Sequence, residues 1–210
     1  MTGRRQARRY AQAMFGEEAH AVGAEGVQKA KRWLEATTRV DVQWIYPEEA
    51  ARKKLAFQWH DNSSFVYDMG GVFRGGPLAN QTFMAEVKHY STVGKQGPMY
   101  EEYLARCYRA RQQVPGFTEQ FMWITWHPFA QKTWTKLTTP DAVRAAVIKH
   151  APRALGVGAD MAMSTVDDTV CAEVAETLWL MVLSDKHELL MLSEQDRAAV
   201  ISAQIMRAGA

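Results

Sequence analysis

Apolar residues recur at helical spacing from Glu17 to Ala36, where Ala19, Val22, Gly23, Gly26, Val27, Ala30, Trp33 and Leu34 make one stripe. The pattern then switches to alternation. Arg39–Tyr46 sets Val40, Val42, Trp44 and Tyr46 against Asp41, Gln43 and Ile45, which predicts a strand. Pro47 and the early acids Glu48 and Glu49, followed by Arg52, Lys53 and Lys54, predict a short helix with Pro47 in its first turn. Two runs rich in aromatic and β-branched residues, Phe65–Phe73 and Thr82–Tyr90, flank Arg-Gly-Gly-Pro-Leu-Ala-Asn-Gln and predict two strands joined by a turn.

Beyond a loop at 91–97, the stripe Tyr100, Tyr103, Leu104, Cys107 and Tyr108 predicts a helix from Pro98 to Gln113, stopped by Val-Pro-Gly. Thr118–Trp126 reads as a buried strand, and Thr139-Pro140 as the cap and first residue of another helix. Residues 152–176 mix small residues with acids. Leu178–Leu183 and Leu189–Leu192 flank a polar turn and predict a second hairpin, after which Ser193 opens a terminal helix with Val200, Ile201 and Ile205 inward. The sum is an α/β fold, a mixed central sheet flanked by helices, with a C-terminal hairpin and helix. It divides into a basic N-terminal helix (1–16), a core (17–150) and a C-terminal extension packed on that core (151–210).

Composition narrows the classes. With 210 residues, 47% hydrophobic and 23% charged, there is ample material for a core. A net charge of +2 gives no overall basic bias, so contact with a polyanion must come from local patches. One such patch is Arg4, Arg5, Arg8 and Arg9, which i,i+4 spacing puts on one side of a helix. Cys107 and Cys171 have no metal-type spacing and read as reduced thiols. No apolar run reaches the ~18 residues of a membrane span, and no apolar stretch follows the basic N-terminus, so the expectation is a cytoplasmic protein.

The chemistry concentrates between Asp68 and Lys88. Side chains alternate across a strand, so Glu86 and Lys88 share a face while Phe83, Ala85 and Val87 take the other. An antiparallel pairing would bring Asp68 beside them, giving two carboxylates and an amine on one spot. Carboxylate oxygens suit Mg²⁺, which also takes phosphate oxygens and neutralises charge on a phosphodiester. The same spacing also fits an ordinary solvent-facing strand pair.

At these residues the sequence resembles the PD-(D/E)xK nuclease superfamily, the restriction-endonuclease-like fold. The matching residues are Asp68 on one strand and Glu86-Val87-Lys88 on the next, with Tyr67 where the motif's proline usually stands. Gln96-Gly-Pro-Met-Tyr100 fits the Gln-x-x-x-Tyr element of one branch. The resemblance spans roughly residues 20–150. It implies that Asp68, Glu86 and the Val87 carbonyl hold Mg²⁺ (or Mn²⁺), and that Lys88 positions or activates water. Gln96 and Tyr100 would set Lys88 and the backbone phosphate. It also implies an acid from the first helix, for which Glu25 is the candidate and Glu18 the competitor. Lys95 and Arg106 lie in the most basic neighbourhood near this site and would contact nucleic acid. The implied activity is that of a Mg²⁺-dependent DNA endonuclease in restriction, phage defence or mobile-element processing, acting as a homodimer or guided by a partner protein. Two alternatives stay open: an inactive binding or assembly subunit with the same fold, and an RNA-processing nuclease.

Overall fold

A computed structural model describes residues 23–90 and 94–208. The arginine patch Arg4, Arg5, Arg8 and Arg9, the segment 1–16 and Glu18 lie outside the described residues.

Helix α1 (residues 23–37) buries Val27, Ala30 and Leu34, three positions of its predicted stripe. It covers one face of a five-stranded sheet built from β1 (Val40–Ile45), β4 (Met69–Phe73), β5 (Thr82–Lys88), β6 (Gln120–Thr125) and β7 (Leu178–Val182), in the order β1-β4-β5-β6-β7. β1, β4 and β5 pair antiparallel, whereas β6 and β7 add on parallel to β5. The sheet is therefore mixed, as the sequence predicts. Alternation along β5 sorts Phe83, Ala85 and Val87 into the core shared with α1, and Met84 into the core beneath α3 (Gln96–Gln113). Glu86 and Lys88 follow Met84 and face α3.

Two helices close that second face, α4 (Pro140–Lys149) and α7 (Asp168–Glu176). The cap of α4 is the predicted one, with the Thr139 side chain accepting from the Ala142 N–H at 3.3 Å. Between these helices run two single turns, α5 (Ala151–Ala154) and α6 (Ala162–Thr165).

Four sequence expectations are corrected. The run Phe65–Phe73 is not one strand: β3 (Ser64–Val66) pairs with β2 (Ala56–Gln58) in a separate two-stranded sheet, and only β4 joins β5. Pro47 stands ahead of α2 (Glu49–Leu55), after a cis peptide bond, and not in its first turn. Leu178–Leu192 forms no hairpin, because β7 finds its hydrogen-bond partners on β6, and the chain then makes a 3-10 turn over Asp185–Leu190. Ala151, Ala154, Cys171 and Val174 share one core with Tyr103 and Trp123. The last helix, α8 (Glu194–Ala208), starts at Ser193 as predicted but leaves Ile205 67% exposed, so its apolar side is not inward.

Candidate active site

Asp68 sits where the chain changes sheets. The Tyr67 N–H donates to the Leu55 carbonyl beside β2 at 3.1 Å, while the next N–H, that of Asp68, donates to the Ala85 carbonyl of β5 at 3.0 Å. The Asp68 carbonyl accepts from Tyr46 at 2.9 Å. The peptide units on both sides of this residue are thus fixed by different partners, and the strand alternation breaks there. Tyr67 and Asp68 both turn toward α3, Tyr67 into the core and Asp68 toward Glu86. The β4–β5 ladder ends at Met69–Ala85, so the Val87 N–H has no strand partner and donates instead to Asp68 Oδ2 at 2.7 Å. In β5 the odd residues direct N–H and C=O toward β4, which aims the Val87 carbonyl at the same gap.

Glu86 and Lys88 bond to each other, Lys88 Nζ to Glu86 Oε1 at 2.6 Å. Beneath the ammonium lies the Trp123 ring, 5.8 Å to its centroid. Glu86 is the most enclosed member, with 8% of its side chain exposed, and its Oε2 is buried without a hydrogen-bond partner. A second cation reaches it from α3: Arg106 Nη1 is 3.5 Å from Oε1. The site therefore gathers two carboxylates, an ammonium and a guanidinium.

The electrostatics follow from burial and from these neighbours. Burial, then the negative charge of Glu86, pushes the Asp68 carboxyl up to about 7, against the opposing pull of Lys88, the Val87 N–H and Arg106. For Lys88, burial works against the charged form, but Glu86 and Asp68 outweigh it and raise its pKa above the ordinary value. Lys88 is thus held as an ammonium, a donor and not a base.

These residues fit a hard divalent cation. Glu86 Oε2 is a buried acceptor with nothing to accept, Asp68 is an acid that resists ionising beside another acid, and a main-chain carbonyl points into the gap. Among the described residues no three His, Cys, Asp or Glu side chains cluster around one point, so the protein would supply two carboxylates and the Val87 carbonyl, leaving other positions to water or phosphate.

The remaining candidates take other roles. Glu25 is corrected: it pairs with Lys29 at 3.3 Å, its side chain is 59% exposed, and α1 lies on the sheet face opposite Glu86. Gln96 is buried, accepting from the Thr125 hydroxyl at 2.7 Å and donating to the His127 carbonyl at 3.3 Å. The Tyr100 hydroxyl donates to the Leu137 carbonyl at 3.0 Å, and its ring stands edge-on to Trp123. Gln96 pins the end of β6 to α3, Tyr100 ties α3 to the segment before α4, and neither bonds Lys88. Lys95 is exposed at the head of α3. Arg106, expected at nucleic acid, pairs with Glu86 and Glu102. Sequence reasoning missed that role, although the i,i+4 spacing of Glu102 and Arg106 was a visible signal.

Compared with family models, with curated proteins and with solved structures, the chain matches none. The geometry stands on its own.

Proposed function

We propose that the protein is a divalent-cation-dependent phosphodiesterase of the PD-(D/E)xK nuclease type, acting on DNA. The observation that carries this reading is the meeting of Asp68, Glu86 and Lys88 where β4 and β5 part, with the unpartnered Glu86 Oε2 in their midst. Asp68, Glu86 and the Val87 carbonyl would hold Mg²⁺ or Mn²⁺, which when bound neutralises charge on a phosphodiester. The Val87 N–H fixes the Asp68 carboxylate toward that position. Lys88, kept protonated by its acidic neighbours, donates hydrogen bonds to the phosphoryl oxygens as charge builds on them. Trp123 limits the directions in which its ammonium can turn. Among the described residues no helix is long and apolar enough to cross a membrane, which is compatible with the cytoplasmic DNA-processing role in restriction, phage defence or mobile-element processing that this reading entails. The reading includes action as a homodimer or with a guiding partner protein.

A second reading has one observation in its favour. Glu86 Oε1 is already engaged by Lys88 and Arg106, so the cluster is also a buried ion-pair group that a binding or assembly subunit could keep without cleavage. Incubating the purified chain with plasmid DNA, single-stranded DNA and RNA in Mg²⁺, Mn²⁺ or EDTA separates the readings. The nuclease reading expects metal-dependent cleavage that falls on the order of a hundredfold or more in Lys88→Ala, the scale for loss of one transition-state donor. Preferred cleavage of RNA would reassign the substrate. Equal inertness of wild type and variant on all three polymers would leave the assembly reading.

A further inference from the structure

Arg106 is tied to two carboxylates at once. Nη1 lies 3.5 Å from Glu86 Oε1, and Nη2 donates to Glu102 Oε1 at 3.2 Å, one helical turn back on α3. Its guanidinium rests on the Phe65 ring, 5.9 Å to the centroid, and only 23% of the side chain is exposed. Each member of the Glu86–Arg106 pair keeps one buried polar atom without a hydrogen-bond partner, Glu86 Oε2 and Arg106 Nε. The pair is close, but neither side is saturated. Glu102 is itself anchored from outside, by Arg153 Nη1 at 3.2 Å, and Arg153 lies over the Trp59 ring at 4.5 Å.

A guanidinium drawn to Glu86 weakens its hold on a divalent cation, because like charges in an enclosed site repel. A buried guanidinium that simply lost its carboxylate would be costly to leave unpaired. Glu102 removes that cost, since it already accepts from the same guanidinium and keeps its own position through Arg153. We propose that Arg106 is an exchangeable counter-ion: it neutralises Glu86 while the site holds no divalent cation, and shifts fully onto Glu102 when one binds. This rests on the reading of Asp68 and Glu86 as ligands of such a cation. It makes Arg106 and Glu102 the pair that sets how tightly the site takes metal.

The test is Mn²⁺ binding to the full chain, measured by isothermal titration calorimetry with no nucleic acid present and with circular dichroism melts to verify folding. Arg106→Gln should bind Mn²⁺ about tenfold more tightly, the factor that corresponds to losing one competing charge-assisted contact. Arg106→Lys, which keeps the charge, should stay near wild type. Glu102→Gln should bind several-fold more weakly, because the displaced guanidinium has lost its second partner. In the Arg106→Gln background, Glu102→Gln should have no further effect, since Glu102 acts only through Arg106. The proposal is overturned if Arg106→Gln binds no more tightly than wild type. It is equally overturned if Glu102→Gln weakens binding by the same factor in both backgrounds, which would mark a through-space field. Binding that survives unchanged in Asp68→Asn and Glu86→Gln, or absence of binding in every variant and in wild type, would reject the metal-ligand reading first and the exchange with it.

Discussion

The Val87 amide donates to Asp68 Oδ2 at 2.7 Å across the point where the β4–β5 ladder stops. A carboxylate replaces the backbone acceptor that another residue of β4 would have supplied, so the position of the acid is set by main-chain geometry and not by a rotamer choice alone. The same enclosure that fixes it also makes its charge unwelcome, and stability should report this. The Asp68 pKa is raised from the ordinary carboxylate range to about 7. Well below its ordinary pKa, at about pH 2–3, it is neutral in both folded and unfolded states. As pH rises from there to about 7, the unfolded chain gives up its proton while the folded site resists, so this group destabilises the metal-free fold increasingly and reaches its full effect above pH 7. Asn at position 68 keeps an acceptor for Val87 and removes the titration. Asp68→Asn in EDTA should therefore be more stable than wild type by about 1–2 kcal/mol at pH 8, with this pH-dependent gain lost at about pH 3, in urea unfolding followed by circular dichroism. A variant less stable at pH 8 would contradict the buried-acid account.

Gln96 and Tyr100 should behave as scaffold. The hydroxyl of Tyr100 reaches the Leu137 carbonyl, and the amide of Gln96 joins Thr125 to His127. Tyr100→Phe should cost about 1 kcal/mol, and Gln96→Ala, which leaves the buried Thr125 hydroxyl without that acceptor, about 1–3 kcal/mol, both read from urea midpoints. Under conditions where the folded fraction is complete, metal-dependent cleavage by Tyr100→Phe should equal wild type. A tenfold or larger loss of rate in a stable Tyr100→Phe would restore the catalytic role that the sequence resemblance implied.

The sequence made these elements unequally legible, for physical reasons. β1, β5 and β6 announce themselves because each has one or both faces buried, and burial writes directly into apolar alternation or an unbroken apolar run. The shared face of Glu86 and Lys88 was readable for the same reason, since alternation along β5 fixes it, whereas the approach of Asp68 depended on how the strands pair. What could not be read was partner choice. β2 and β3 are three residues each, too short to carry a period, and the switch at Tyr67–Asp68 depends on hydrogen bonds to Leu55 and Ala85. Leu178–Val182 looked like half of a local hairpin because the leucines at 189–192 follow closely, yet the deciding pairing is with β6, more than fifty residues upstream, while Leu189 stays 84% exposed. The pairing of Arg106 with Glu86 was missed because that carboxylate comes from another element, although Glu102, one turn back on the same helix, was visible.

Gly71 ties the fold to the site most tightly. A Cβ built there would stand 1.9 Å from the Asp41 carbonyl oxygen and 3.0 Å from the Gln43 nitrogen, both backbone atoms of β1. β1 changes register between Val42 and Trp44, and this irregularity lets its backbone cross so close to Gly71. A methyl group at 71 cannot be accommodated by turning a side chain, so β1 must give up pairing on this stretch. Gly71→Ala should destabilise by about 3 kcal/mol, the upper end of overpacking costs, read as a lowered melting temperature. Gly97, near the start of α3, has nothing within 4 Å of its built Cβ. Gly97→Ala should gain about 0.5 kcal/mol from helix propensity and the stiffer unfolded chain. The two substitutions add the same methyl group, so opposite shifts would isolate the β1–β4 approach as the cause. A Gly71→Ala variant that melts with wild type would mean that β1 can move off β4 freely, and that the Tyr46–Asp68 hydrogen bond at the strand's end does not hold the acid in place.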